Sequence, residues 1–228
     1  MKKNVFVQTA NVKEFVSVAG RLNRVEAGVP GMGLVHGVKG LGKTSAAINF
    51  ASQKANRTVY VRAKRDWSYA WMMDELLIEM SVTPLRGDKA KFDALVEALV
   101  DAPRLVIVDE TNLVPVRLLE TIRGLHDMTH NPFLFVGHEG INNVLLRLGP
   151  FHDRLIYKTE LKPLSLADLQ TFCTEALEVG IDSEALAAVL KAADGNFRRS
   201  VVHLKALEDK AKLGNIQCIT AATLKGVL

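Results

Sequence analysis

Hydrophobic positions along this chain of 228 residues follow two rhythms. Over residues 11–27, Val12, Phe15, Val16, Ala19 and Leu22 return at helical spacing, after which Gly28, Pro30, Gly31 and Gly33 break the pattern. Leu34-Val35-His36 is a short apolar segment running into a glycine-rich turn, and residues 45–55 resume a helical pattern. Residues 57–64 (RTVYVRAK) are rich in β-branched and aromatic types, and 104–110 (RLVIVDE) is a continuous apolar run closed by two acids. Residues 133–138 (FLFVGH) and 154–161 (RLIYKTEL) supply two more strands, with helices expected over 68–80, 89–100 and 115–128. Unbroken apolar runs belong to strands buried on both faces. Five such strands alternating with helices predict a parallel α/β sheet with helices on both sides.

Beyond Pro163 the strand signals stop, and 164–180, 183–194 and 196–214 each carry helical periodicity. The expected organisation is therefore an α/β domain over 1–162 with a short N-terminal lead-in, followed by a small helical domain over 163–228. Ser165 with Asp168 three residues on, and Asp182 or Ser183, have the form of N-caps, while Gly180, Gly195 and Gly214 stand where helices should end.

Composition adds little to this picture and removes several alternatives. Hydrophobic residues make up 48% and charged residues 24%, ordinary for a globular protein, with no low-complexity tract. No apolar run is long enough for a membrane span and the N-terminus has no signal-peptide form, so a cytoplasmic protein is expected. Cys173 and Cys218 are far apart, without metal-ligand spacing, and read as reduced packing residues in helices. The net charge of +4 favours polyanionic partners without identifying one.

The chemistry lies in two motifs. GVKGLGKT, Gly37 to Thr44, fits G-x-x-x-x-G-K-[ST] between an expected strand and an expected helix, a match that arises by accident in roughly one chain in a hundred of this length. Gly37, Gly40 and Gly42 let the backbone of Val38, Lys39 and Leu41 wrap a phosphate with N–H groups inward, and the helix that follows from Ser45 adds its positive end. Lys43 would bridge the β- and γ-phosphates of ATP, and the Thr44 hydroxyl would ligate Mg²⁺. Asp109 ends an apolar strand, where its carboxylate can hold Mg²⁺ through water, and Glu110 can orient and polarise the attacking water.

These motifs resemble the Walker A and Walker B elements of the AAA+ ATPases, P-loop proteins whose five-stranded sheet is ordered 5-1-4-3-2 and followed by a helical lid. The resemblance implies further roles. His138, after the strand that follows Asp109, stands where the family carries a polar sensor of the γ-phosphate and lytic water, usually Asn, Ser or Thr. Arg154, just before the fifth strand, stands where an arginine reaches a neighbouring subunit's ATP, with Arg147 as the alternative. GNFRRS, residues 195–200, is similar to a second sensor pattern, which makes Arg198 a γ-phosphate contact.

Within the family the chain looks most like the transposition target-selection ATPases of Mu-like phages, on its opening QTANVKEFV, the basic loop AKRDW and the compact helical lid. Those proteins carry an additional N-terminal helix-turn-helix domain, for which there is no room before Asn11. The resemblance implies Mg²⁺-dependent ATP hydrolysis stimulated by assembly, an ATP-dependent oligomer or filament on double-stranded DNA without sequence preference, and stimulation of a transposase. Lys64, Arg65, Arg117 and Arg123 are the phosphate-contact candidates, with Trp67 beside the first two. A replication initiator or helicase loader is the alternative. A small-molecule kinase fits Glu110 and the GNFRR segment less well.

Overall fold

The structure, a computed structural model, describes residues 1–2, 5–24 and 31–224; residues 25–27 of the first expected helix, with Gly28 and Pro30, lie outside the described residues. In chain order the elements are α1 (Ala10–Leu22), β1 (Met32–His36), α2 (Lys43–Ser52), β2 (Thr58–Arg62), α3 (Tyr69–Glu79), α4 (Asp88–Asp101), β3 (Leu105–Asp109), α5 (Val116–Thr129), β4 (Phe133–Gly137), α6 (Ile141–Leu146), α7 (Gly149–His152) and β5 (Leu155–Glu160). Then follow α8 (Leu166–Ala176), β6 (Gly180–Ile181), α9 (Ser183–Ala192), α10 (Phe197–Leu213) and β7 (Cys218–Ile219). Two compact units result. One comprises 14–37 and 43–160, the other 1–13, 38–42 and 161–228.

The first unit is built on a parallel five-stranded sheet in the order β2-β3-β4-β1-β5, the order the family resemblance implies. β3 and β4 are buried at every position because helices cover both faces, which is why their sequences are unbroken apolar runs. The edge strands alternate instead: Val59 and Val61 of β2 enter the core while Thr58, Tyr60 and Arg62 do not. Phe133, Phe135 and Phe151 pack with Met72, Met73, Leu76, Leu77 and Leu119 in one cluster, with the Phe135 and Phe151 rings 4.9 Å apart. Trp67 belongs to this core at 2% exposure, its indole N–H donating to Glu75 Oε2 at 3.2 Å, so Trp67 itself offers no exposed ring beside Lys64 and Arg65.

One polar cluster sits inside this unit and is fully bonded. His126, on the last turn of α5, accepts the Gly31 N–H at Nε2 (3.4 Å), so Nδ1 carries the hydrogen and donates to the Asn131 carbonyl (2.8 Å). Asn131 in turn bonds the Leu99 carbonyl and the Arg104 N–H, tying the ends of three segments together beneath β4. Burial holds the His126 imidazole below its ordinary value, against the opposing pull of the Asn131 carbonyl and the Asp127 charge.

In the second unit, α8, α9 and α10 gather Leu169, Phe172, Cys173, Leu186, Val189, Leu204 and Leu207 into a separate core that also takes in Val7. The Lys2 N–H bonds the Ala176 carbonyl, so residues 1–13, counted with the α/β domain on sequence, pack here with the helices. Ser165 and Asp168 form a reciprocal capping box on α8, and Asp182 caps α9 through the Ala185 N–H. Two expectations are corrected. Gly180 does not end a helix: α8 stops at Ala176, and Gly180 pairs with Cys218 in the two-residue parallel ladder of β6 and β7, too short to leave a periodic signal. Cys218 is consequently exposed on a strand rather than packed in a helix, whereas Cys173 is buried on α8 and its thiol is pushed up to about 12 by burial.

Candidate nucleotide site

In a parallel sheet every strand delivers its chain to the same edge, and ligands bind where the strand order reverses. Here β1, β3 and β4 deliver the phosphate loop, the acid pair and His138 to that edge. His36 is level with Gly137 in the β1–β4 register, and Asp109 is level with Arg62 in the β2–β3 register. Gly37 follows β1 directly, and Lys43, Thr44 and Ser45 form the first turn of α2. The Lys43 ammonium donates to the Gly37 carbonyl at 2.7 Å, so the side chain folds back over the loop it belongs to. Ala46, Ala47 and Phe50 anchor α2, and the Phe50 ring meets Phe15 of α1 edge-on at 6.4 Å.

Asp109 is 2% exposed. Its Oδ1 accepts the Glu110 N–H (2.8 Å) and its Oδ2 accepts the Tyr60 hydroxyl (3.0 Å), both neutral donors, and no cationic side chain pairs with it among the described residues. A carboxylate buried without countercharge is costly, and a divalent cation held through water is the countercharge such a site is fitted for. Glu110 follows with φ of +53°, a left-handed conformation that is strained for a residue with a Cβ. It turns the chain off β3 so that the Glu110 carboxylate stands partly exposed, with Arg62 3.3 Å from Oε1. That pair is solvent-screened and weak as a stabilising contact.

The turn after Glu110 ties β3 to β4. Thr111, fully buried, donates its hydroxyl to the Val108 carbonyl, and Asn112 Oδ1 accepts the His138 N–H at 2.7 Å. A Cβ on Gly137 would come within 2.5 Å of that same Asn112 oxygen, so the approach requires glycine at the end of β4. His138 stands one residue beyond β4. Its Nδ1 accepts the Gly140 N–H at 3.2 Å, which leaves Nε2 carrying the hydrogen as the outward donor.

The middle of the phosphate loop, residues 38–42, packs with the second unit. Asn196 caps α10 by accepting the Arg199 N–H on Oδ1 (3.1 Å), and its Nδ2 donates to the Lys39 carbonyl at 2.7 Å. The Arg198 N–H donates to the Gly40 carbonyl at 3.1 Å. Gly40 has φ of +86°, and a Cβ there would lie 2.4 Å from Asn196 Oδ1. Arg198 and Arg199 both project from the first turn of α10 with exposed side chains.

The remaining arginines sort by their partners. Arg154 is held by Asp127 of α5 through two hydrogen bonds, Nε at 2.5 Å and Nη2 at 2.9 Å, and also donates to the Pro150 carbonyl. Arg147 is exposed and makes no side-chain ion pair among the described residues. Lys64 pairs with Glu75 and lies 4.7 Å from the centre of the Trp71 ring, and Arg123 pairs with Glu120 and Asp127. Arg65 and Arg117 are exposed and have no ion pair among the described residues, unlike Lys64 and Arg123.

Three participants escaped the sequence. Tyr60 and Arg62 were recoverable from the alternation of β2, since burying Val59 and Val61 turns 58, 60 and 62 to the face that ends beside the two acids. Asn112 left no signal, because its bond to His138 depends on tertiary contact between turns.

Comparison with known proteins places this arrangement. A relative, the Mu-like prophage FluMu DNA transposition protein B of Haemophilus influenzae, is 24% identical over 160 residues, covering 67% of this chain and 55% of the relative. The chain thus spans little more than half of that relative's length. The solved structure of Cdc6p from Pyrobaculum aerophilum superposes with a TM-score of 0.78 at 14% identity, over 100% of this chain and 69% of that one. The ORC2 protein of Aeropyrum pernix, solved as ADPNP–ADP complexes, gives 0.75 at 18% identity, over 99% and 70%. At these identities the structural likeness carries the fold alone. The family model described as an AAA domain matches residues 27–145, more than half of the chain, and the protein belongs to the AAA family of P-loop nucleotide-binding proteins.

Proposed function

We propose that this protein is an ATP-hydrolysing AAA+ ATPase that assembles on double-stranded DNA in its ATP-bound state, without sequence preference, and delivers that DNA to a transposase whose activity it stimulates. The observation that carries the ATPase reading is Asp109, buried at the end of β3 without a cationic partner among the described residues, in a chain whose β1 leads into a glycine-rich segment of the phosphate-binding form. The transposition reading rests on the likeness to the prophage protein and on the basic balance of the chain.

In this reading the backbone of Gly37 to Gly42 and the Lys43 ammonium bind the phosphates, and Thr44 and Asp109 hold Mg²⁺, Asp109 through water. Mg²⁺ held by these residues would supply charge neutralisation for the phosphates. Glu110 orients the attacking water and accepts its proton on the carboxylate. His138 donates from Nε2 to the γ-phosphate or to that water, and Arg198 contacts the γ-phosphate from the helical domain over 163–228. An arginine ahead of β5 serves the neighbouring subunit's nucleotide. Arg154 would have to release Asp127 to do so, whereas Arg147 would not. Arg65 and Arg117 contact DNA phosphates, with Lys64 and Arg123 contributing once their own pairs open. Action on DNA implies a cytoplasmic location, and among the described residues no helix is long and apolar enough to cross a membrane.

Fluorescence anisotropy on several unrelated duplexes, with ATP and with ADP at two salt concentrations, tests this reading. Similar affinity for all sequences with ATP, weakening steeply with salt, is the expected result. No binding with ATP at low salt excludes the DNA role. Electron microscopy of the same mixtures separates helical filaments from the closed rings of a loader.

A further inference from the structure

β2 carries one polar atom into the neighbourhood of the metal-binding acid, and it comes from a residue outside both nucleotide motifs. Tyr60 is level with Ile107 in the parallel register, so Asp109, two residues further along β3, is its diagonal neighbour on the same face of the sheet. That separation is within reach of a long aromatic side chain. The hydroxyl uses the reach: it donates to Asp109 Oδ2 at 3.0 Å. Val59 and Val61 pack into the core on the other face, which fixes the direction of the Tyr60 ring through the strand itself.

We infer that Tyr60 is a positioning residue for Asp109, setting the orientation of its carboxylate for the Mg²⁺ that accompanies ATP. The inference rests on the nucleotide reading above. Two donors from different strands meet the two oxygens of Asp109, the Glu110 N–H on Oδ1 and the phenol on Oδ2, and together they stop rotation of the carboxylate about its Cβ–Cγ bond. Each oxygen keeps a lone pair for metal-bound water. With the phenol removed, Oδ2 would be buried without a donor and the carboxylate would be free to turn, which would weaken its hold on a cation.

Tyr60→Phe removes one oxygen and leaves the ring, so the fold should persist; thermal melting checks this. The first readout is direct metal binding: Mn²⁺ titrated by electron paramagnetic resonance into protein saturated with a non-hydrolysable ATP analogue. The second is binding of a fluorescent ATP analogue in EDTA. The expected result is Mn²⁺ affinity weakened by about tenfold, the scale seen when an outer-shell partner of a metal ligand is lost, with metal-free nucleotide affinity within twofold of wild type. The Mg²⁺ concentration at half-maximal turnover should rise by the same factor. Unchanged Mn²⁺ affinity overturns the role of Tyr60, as does an equal loss of metal-bound and metal-free nucleotide binding, which would mark general damage. Wild-type protein that binds no metal–nucleotide complex would overturn the nucleotide reading itself.

Discussion

Gly40→Ala isolates the contact between the phosphate loop and α10. Gly40 lies at φ of +86°, and holding alanine in that region costs about 1–2 kcal/mol. The new methyl would also lie 2.4, 2.7 and 2.9 Å from Oδ1, Nδ2 and Cγ of Asn196. The Asn196 side chain can swing away, but each of its ends is in use: Oδ1 caps α10 on the Arg199 N–H, and Nδ2 holds the Lys39 carbonyl. Losing the cap costs about 1 kcal/mol and the second bond about as much. The sum is about 3–4 kcal/mol. Denaturant unfolding of wild type, Gly40→Ala, Asn196→Ala and the double variant closes a cycle. In the Asn196→Ala background the clash and both bonds are already gone, so Gly40→Ala should cost only its backbone strain. A coupling of about 2 kcal/mol is expected. Additive costs, within about 0.5 kcal/mol, would refute the reasoning and leave Asn196 without a role in shaping the loop.

Four further outcomes are expected. Lys43→Ala should reduce ATP affinity by at least about 100-fold, by analogy with removing a charged hydrogen-bond donor from a desolvated site; titration with a fluorescent ATP analogue at wild-type affinity would take Lys43 out of the site. The His126 imidazole titrates below its ordinary value in the folded chain, so the unfolded chain takes up its proton first as the pH falls. Its contribution is complete above about pH 6.5 and lost progressively below, with a slope of at most about 1.4 kcal/mol per pH unit; unfolding at pH 7.5 and 5.5 should show a smaller loss for His126→Gln than for wild type, and equal losses would contradict the assignment. Arg154→Ala should lower stability by about 1 kcal/mol, since its bond to Asp127 is partly screened and Arg123 remains. Arg147→Ala should leave melting unchanged and abolish assembly-stimulated hydrolysis; if Arg154→Ala alone abolishes it, the trans contact belongs to Arg154.

The sheet was legible because its central strands are buried on both faces and so spell unbroken apolar runs, while the glycine-rich loop announces the first strand-to-helix turn. α6 and α7 were not foreseen, being too short at six and four residues to show a period, and the β6–β7 pair joins two-residue segments from distant parts of the chain. The chemistry divides along the same line. Lys43, Thr44, Asp109 and Glu110 could be read as site candidates because their motifs are local. The company of each charge could not, since the pairing of Arg154 with Asp127, of Arg62 with Glu110 and of Tyr60 with Asp109 follows from strand register and helix packing. Those same pairings separate the arginines engaged in the fold from Arg65, Arg117 and Arg147, which have no ion pair among the described residues.

Glu110 is the residue on which the proposed ATP hydrolysis depends, and Glu110→Gln tests that proposal most directly. The substitution keeps the size of the side chain, the left-handed turn and the backbone N–H that bonds Asp109, and removes the carboxylate that would take the proton from water. Single-turnover hydrolysis of radiolabelled ATP, measured beside equilibrium ATP binding on the same preparation, is the decisive experiment. ATP affinity within about threefold of wild type, with hydrolysis slowed by about 100-fold or more, is the expected result. Hydrolysis at the wild-type rate would show that Glu110 does not polarise the attacking water and would contradict the account.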